Sequence, residues 1–293
     1  MPEFSIFLQV PGLKKGGRCL FFNSVYNGRM RNKLTDELAV CGINAVIAVA
    51  EHHPQTINRL FLREDRFYSF TEICKQLAER KRPYKICEDE ELERICKTVH
   101  HQGVVAMIEE PVVEPLSLED LELWASEGKT GVILHSVGND HNLGAIARAA
   151  AFFDAGFIVL NENDSSFEDE IHLTTSAYRV AEGAFEHLTI RSISNTAAFL
   201  KDASRQLVTI GTDTRARMRI SDLAGIVSTP KVMKLRSGGR PGIALVLGNE
   251  ETGIPKNVKD KCSYLLRIPG TGNIESLNVS QAAALFLHAV FEL

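Results

Sequence analysis

Three polar, glycine-bearing loops each follow an apolar segment that reads as a strand. They are VGNDHNLGAIARAAAFF after GVILHS, GNEETGIP after IALVL, and PGTGNIESLNVS after YLLRI. In open parallel sheets ligands bind beyond the C-terminal ends of the strands, so loops placed this way can converge on one pocket. They bring Asn139, Asn142, Arg148, Glu250, Ser276 and Asn278, a set of hydrogen-bonding and charged groups. The third loop, GTGNIE, begins like the phosphate-binding G-x-G-x-x-G. Glu275 occupies the place of its third glycine and no Walker lysine follows. Each residue also has a plain structural use. Asn142, Ser276 or Asn278 can cap a helix, Arg148 can form a surface ion pair, and Glu250 can be a turn carboxylate near a helix start.

The elements that must position these loops are legible from periodicity. Strands are predicted at 131–136, 157–160, 207–211, 243–247 and 264–268, alternating with helical segments, which implies a mainly parallel sheet covered on both faces. The other two of these strands lead into the acidic ENDSSFEDE (162–170) and into GTDTRARMR. Val279, Ala282, Ala283, Phe286 and Val290 recur at helical spacing and predict a final helix over 278–292. EEPVVEPLS, 109–117, breaks the periodicity, and Ser117 then caps a helix to about Ser126. Ahead of it, AVCGINAVIAVAEHHPQTINRLFLRED reads as a helix and a short strand at RLFL. Phe70–Lys81 reads as a helix, YKIC as a strand, EDEELERICKTV as a helix and GVVAMIEE as a strand, together a compact α/β module.

Composition narrows the class. The 293 residues are 44% hydrophobic and 24% charged, ordinary for a soluble protein of one large or two medium domains. No apolar run reaches the roughly eighteen residues that span a bilayer. The start MPEFSIFLQVPGLKK has its basic residues after its apolar stretch, the reverse of a signal peptide, so the cytoplasm is the expected location. The cysteines at 19, 41, 74, 87, 96 and 262 lack C-x-x-C spacing and read as reduced thiols; no metal is expected. Net charge is −4, yet residues 1–34 carry six Lys or Arg against Glu3, and RARMR (215–219) and KVMKLRSGGR (231–240) are also basic. Such asymmetry suits either solvated loops or a face that meets phosphates. The histidines, including the pairs 52/53 and 100/101, are taken as structural.

N-x-x-N-x-G-x-x-x-R (Asn139, Asn142, Gly144, Arg148), G-N-E-x-x-G (Gly248 to Gly253) and I-P-x-x-G-x-x-x-S-L-N-V-S (Ile268 to Ser280) resemble, in order and spacing, the three motifs of the SpoU/TrmH family of RNA methyltransferases. CGINAVIAVAEHHPQTINRLFL and HHQGVVA are similar to the small RNA-binding domain of its rRNA ribose methyltransferase branch. GTGN and RVAEGAFEH (179–187) are similar to the YfiF-like branch, and Gly270 stands where many relatives carry Met. The resemblance implies a basic extension at 1–37, a small α/β RNA-binding domain at 38–110, a linker and helix at 111–130, and a methyltransferase domain of SPOUT type at 131–293.

It further implies a trefoil knot, an obligate homodimer, and S-adenosylmethionine as cofactor, held by Leu247, Gly248, Asn249, Gly253, Ile268 and Leu277. The implied activity is methylation of a ribose 2′-hydroxyl in structured tRNA or rRNA. This is an in-line displacement that asks the protein chiefly for alignment, with no metal and no covalent enzyme intermediate. The implied catalytic set is Arg148, Asn142, Glu250, Ser276 and Asn278. Arg148 acts as a clamp on a phosphate and the developing alkoxide and is fixed by Glu250, because a guanidinium with a pKa above 12 is a poor base. The alternative is a cofactor-binding RNA-interaction protein with weak or no turnover.

Overall fold

The computed structural model describes residues 31–32, 37–162, 171–236 and 239–293. The basic extension lies mostly outside the described residues, as does all but Glu162 of the acidic stretch 162–170. The first sheet contains β1 (Arg31–Asn32), β2 (Glu37–Cys41), β3 (Ile57–Leu62), β4 (Tyr84–Ile86) and β5 (Val104–Glu109), in the order β1-β2-β5-β3-β4. Helices α1 (Ile43–His52), α2 (Thr71–Glu79) and α3 (Asp89–Cys96) connect and cover it. The expected helix starting at Ala39 is corrected here. Residues 37–41 are a strand, fully buried and paired to β5, and the helix begins only after Gly42, whose φ is +101°. A short apolar run next to an apolar helix offers no change of period to separate the two, and only the glycine marks the joint.

The second sheet has seven strands. They are β6 (Thr130–Leu134), β7 (Phe157–Asn161), β8 (Thr189–Ile193), β9 (Val208–Thr212), β10 (Met218–Arg219), β11 (Ile243–Leu247) and β12 (Tyr264–Arg267). Their order is β10-β12-β9-β11-β6-β7-β8 and every pairing is parallel. The five expected strands are present; β8 and β10 are additions. β8 escapes periodicity because TIRSI is half polar. It lies at the sheet edge, where the linker runs beside it: Leu116 N–H donates to Ser192 O (2.8 Å) and Ser192 N–H to Glu114 O (2.9 Å).

Alternate side chains of the central strands feed two cores, which is why these strands read as unbroken apolar runs. On one face Val132, Leu134, Ile158, Leu160, Leu245 and Leu247 meet α5 (Asp140–Phe152), α6 (Thr175–Ala181) and α11 (Val279–Phe291). On the other, Ile133, Phe157, Val159, Ala244 and Val246 meet α4 (Leu118–Ser126), α7 (Thr196–Ala203) and α10 (Lys256–Lys259). There Trp124 stacks on Phe157, with centroids 3.8 Å apart. Ser117 caps α4 reciprocally with Asp120, which also takes Arg191 Nε at 3.0 Å and so ties the helix to β8. Short helices α8 (Leu223–Val227) and α9 (Pro230–Met233) lead into β11.

Gly144 of the first motif is a packing residue. A Cβ there would stand 2.5 Å from Ala177 O and 2.8 Å from Val180 Cβ, so α5 and α6 touch only because it is glycine. Gly144→Ala should cost about 1–3 kcal/mol, as overpacking does. Urea unfolding with an unchanged midpoint would contradict this contact.

Candidate active site

β6 and β11 are neighbours in register, Leu134 opposite Leu247, and His135 N–H donates to Leu247 O at 2.9 Å just where both strands end. The chain leaving β11 reverses at once. Gly253 N–H donates to Asn249 O at 2.9 Å, and a Cβ on Gly248 would overlap the Gly253 carbonyl carbon and stand 2.5 Å from its oxygen. Asn249 pins this loop to the first one. Its Nδ2 donates to Ser136 O (2.9 Å), while its Oδ1 accepts from the N–H groups of Glu251 (2.9 Å) and Thr252 (3.0 Å).

Asn142 joins all three loops. Buried in the first turn of α5, it donates from Nδ2 to Glu250 Oε1 at 2.6 Å and accepts on Oδ1 from Asn278 Nδ2 at 3.1 Å. The direction of this chain is fixed by chemistry. An ionised carboxylate only accepts, so the amide NH2 of Asn142 must face Glu250, leaving its oxygen for Asn278. Asn278 then has its own oxygen free to cap α11, accepting from Ser280 N–H (2.8 Å) and Ser280 Oγ (2.6 Å). In Asn278 the capping and linking readings coincide, whereas Asn142 caps nothing: α5 is capped by Asn139, whose Oδ1 accepts from His141 N–H at 2.9 Å, and the Asn142 amide is left to join the loops.

Two expectations are modified. Arg148 does not pair with Glu250. Six residues beyond Asn142, it projects about 120° around the helix from it, at 100° per residue. Its Nη1 instead meets Glu182 Oε1 at 2.8 Å. Glu182 lies in RVAEGAFEH, which the sequence marks only as a branch signature; nothing in the sequence signals the pairing itself. Ser276 takes no part in the Glu250–Asn142–Asn278 chain and stands exposed on its loop, as does Leu277, whereas Ile268 is half-buried against the core.

The turn after β11 has no room for a side chain at Gly248, and the third loop exposes two apolar side chains, Ile274 (81%) and Leu277 (48%). Acidic groups placed to hold a metal ion are absent among the described residues.

Residues 129–288 match the SpoU rRNA methylase family, and residues 39–112 match the RNA 2′-O ribose methyltransferase substrate binding domain. The chain is 30% identical over 258 residues to the 23S rRNA (guanosine-2′-O-)-methyltransferase RlmB of Bordetella pertussis, covering 85% of this chain and 94% of that one. It is 28% identical over 260 residues to RlmB of Nitrosomonas europaea, covering 88% and 92%. The crystal structure of an AdoMet-bound rRNA methyltransferase from Sinorhizobium meliloti superposes with a TM-score of 0.65 at 19% identity, over 88% of each chain, a likeness of fold. With more than half of its length matching that family and its three signature loops clasped through Asn142, the chain belongs to the SpoU rRNA methylase family.

Proposed function

We propose that this protein is an S-adenosylmethionine-dependent methyltransferase acting on a ribose 2′-hydroxyl in structured tRNA or rRNA. The observation that carries the reading is the hydrogen-bonded chain Glu250–Asn142–Asn278, which fixes the three family loops against one another at one end of the sheet. The cofactor, when bound, supplies a methyl group activated by a sulfonium. Leu247, Gly248, Asn249, Gly253, Ile268 and Leu277 form its cradle. Arg148 binds the phosphate beside the target ribose and stabilises the negative charge that grows on the 2′-oxygen. Asn142 and Glu250 set the floor of the site, Asn278 fixes the start of α11, and exposed Ser276 orients the ribose.

The test is transfer of tritiated methyl to total RNA from cells lacking the gene, followed by alkaline hydrolysis. A 2′-O-methyl group blocks cleavage of the adjoining bond, so the label must appear in alkali-resistant dinucleotides. Label in single nucleotides would point to base methylation, and no label to a binding protein without turnover.

The same reading includes the knotted C-terminal segment, supported by β12 entering the sheet beyond β9 rather than beside β11. It also includes cytoplasmic residence, in keeping with the absence, among the described residues, of any helix long and apolar enough to cross a membrane. A homodimer belongs to it as well. Phe152 (80% exposed), Leu285, Phe291 and Leu293 are exposed apolar side chains of α5 and the chain end, joined by Phe153, which touches both Phe152 and Phe291. A contiguous apolar patch of this kind suits a twofold partner. Light scattering should give about twice 32.4 kDa, and Leu285→Asp with Phe291→Asp should give the monomer. An unchanged mass in the double variant would place the interface elsewhere.

The first domain grips the RNA in this reading. Tyr68 is 87% exposed, edge-on to Phe67, which in turn lies against Tyr84, next to the exposed basic turn Arg80–Arg82. An unpaired base stacked on Tyr68 with phosphates near the turn accounts for this surface. Tyr68→Ala should cost about 1–3 kcal/mol of RNA affinity and leave cofactor affinity unchanged, whereas Arg82→Ala should mainly reduce the salt dependence. Unaltered RNA binding by both variants would move the contact to another face.

A further inference from the structure

RVAEGAFEH, 179–187, is a motif that the clasped loops do not use. In the structure it ends α6 and continues as a 3-10 turn, Ala184–His187, and together these seat α1 of the first domain. The fit is close. A Cβ on Gly183 would stand 2.7 Å from Ala48 Cβ and 3.2 Å from Asn44 O. Glu186, its side chain 6% exposed, meets His53 Nε2 at 3.3 Å; burial raises its carboxyl above the usual range, partly offset by His52.

Glu182 occupies the turn between them in the left-handed region, φ 49°, and its two oxygens go to different domains. Oε1 meets Arg148 Nη1 at 2.8 Å, and Oε2 accepts from Asn44 Nδ2 of α1 at 3.1 Å. All three residues line a cleft of about 330 Å³ between α1 and α5, bordered also by Glu51, Phe152 and His187.

Stability does not explain the arrangement. Arg148 is 58% and Glu182 33% exposed, and exposed pairs contribute about 0–1 kcal/mol, no more than the left-handed backbone of a non-glycine residue takes away. What the contact does set is direction. Of the five guanidinium N–H groups, one is engaged by Glu182, so the planar fork is held while the others remain available to a phosphate or an alkoxide.

We infer that Glu182 is a positioning residue for Arg148, and that its second oxygen makes the aim of the arginine depend on the docked position of the RNA-binding domain. The inference rests on the methyltransferase reading. In it the first domain contributes to turnover as well as to RNA affinity. RNA held by the docked domain meets an arginine already aimed, and an undocked domain leaves Arg148 free to swing.

The experiment uses the full-length protein, tritiated S-adenosylmethionine and total RNA from cells lacking the gene, with single-turnover rates measured as a function of RNA concentration. Glu182→Gln should lower the saturated rate by about ten- to hundredfold, the scale of a misplaced catalytic group, without moving the half-saturating RNA concentration. Asn44→Ala should lower it less. The double variant should be no slower than Glu182→Gln, because both act through one contact. Arginine side-chain NMR of the RNA-free protein gives a readout independent of turnover. The Arg148 Nε–H signal, assigned by its loss in Arg148→Lys, should shift in both variants. A wild-type saturated rate in Glu182→Gln, a loss confined to half-saturation, or losses that multiply in the double variant would overturn the inference while leaving the methyltransferase reading intact. No transfer by the wild type would overturn that reading and the inference with it.

Discussion

Gly248→Val is expected to lose about a hundredfold in S-adenosylmethionine affinity, read by calorimetry on the folded variant. Overpacking costs about 1–3 kcal/mol where side chains can yield. Here the atoms met are backbone, the Gly253 carbonyl and the Ile254 nitrogen, which cannot. The cost therefore lies at the upper end, and about 3 kcal/mol corresponds to roughly two decades in a dissociation constant. Opening the turn would also move Glu250 away from Asn142 and so loosen the clasp on the third loop. Gly253→Ala is the informative companion. Nothing lies within 4 Å of a Cβ there, and only its φ of +66° is unfavourable to a side chain. It should cost about 1 kcal/mol and keep measurable binding. Equal affinity in the wild type and Gly248→Val would remove the turn from the cofactor cradle.

What made the parallel sheet legible is its burial on both faces. IALVL is apolar throughout and FIVLN at every position but the last because they serve two cores, and such runs stand out without any alternation. Ser117 and Asn278 were legible as caps for a local reason: a cap bonds to a backbone group two or three residues on, within reach of sequence reasoning. β8 and β2 were not. TIRSI owes its strand to neighbours on both sides, β7 and the linker, and ELAVC owes its own to β5, whose paired residues lie about seventy positions away. The same limit applies at the site. The motifs marked Asn142, Glu250 and Asn278 individually. That one buried amide would bond to the other two, 108 and 136 residues distant, is decided by how three strand ends meet. The motif puts Arg148 on the helix that carries Asn142 but does not show its partner: a helix turns 100° per residue, so Glu250 lies on the side that Asn142 faces and Arg148 meets Glu182 instead.

Arg148→Lys should lower turnover by about a hundredfold to a thousandfold, or roughly 3–4 kcal/mol, the cost of removing one preorganised electrostatic contact. Cofactor affinity should stay near that of the wild type. Lysine keeps the charge but loses the planar fork, so it can hold Glu182 or a phosphate as a point charge and cannot fix the angle between them. The measurement is kcat with saturating cofactor alongside a calorimetric Kd, since a contact made mainly in the transition state lowers kcat without weakening ground-state binding. Asn142→Ala separates orientation from electrostatics. It removes the amide joining Glu250 to Asn278 and leaves a carboxylate and an amide without their partner, about 1–3 kcal/mol of stability, with a smaller effect on turnover than the lysine variant. His135 is the natural control, because its ring at the end of β6 meets Thr196 Oγ1 at 3.0 Å and Asn161 Nδ2 at 3.2 Å. If Arg148→Lys retains near wild-type turnover while His135→Ala abolishes it, the arginine clamp is wrong and the proton acceptor must be sought at the end of β6.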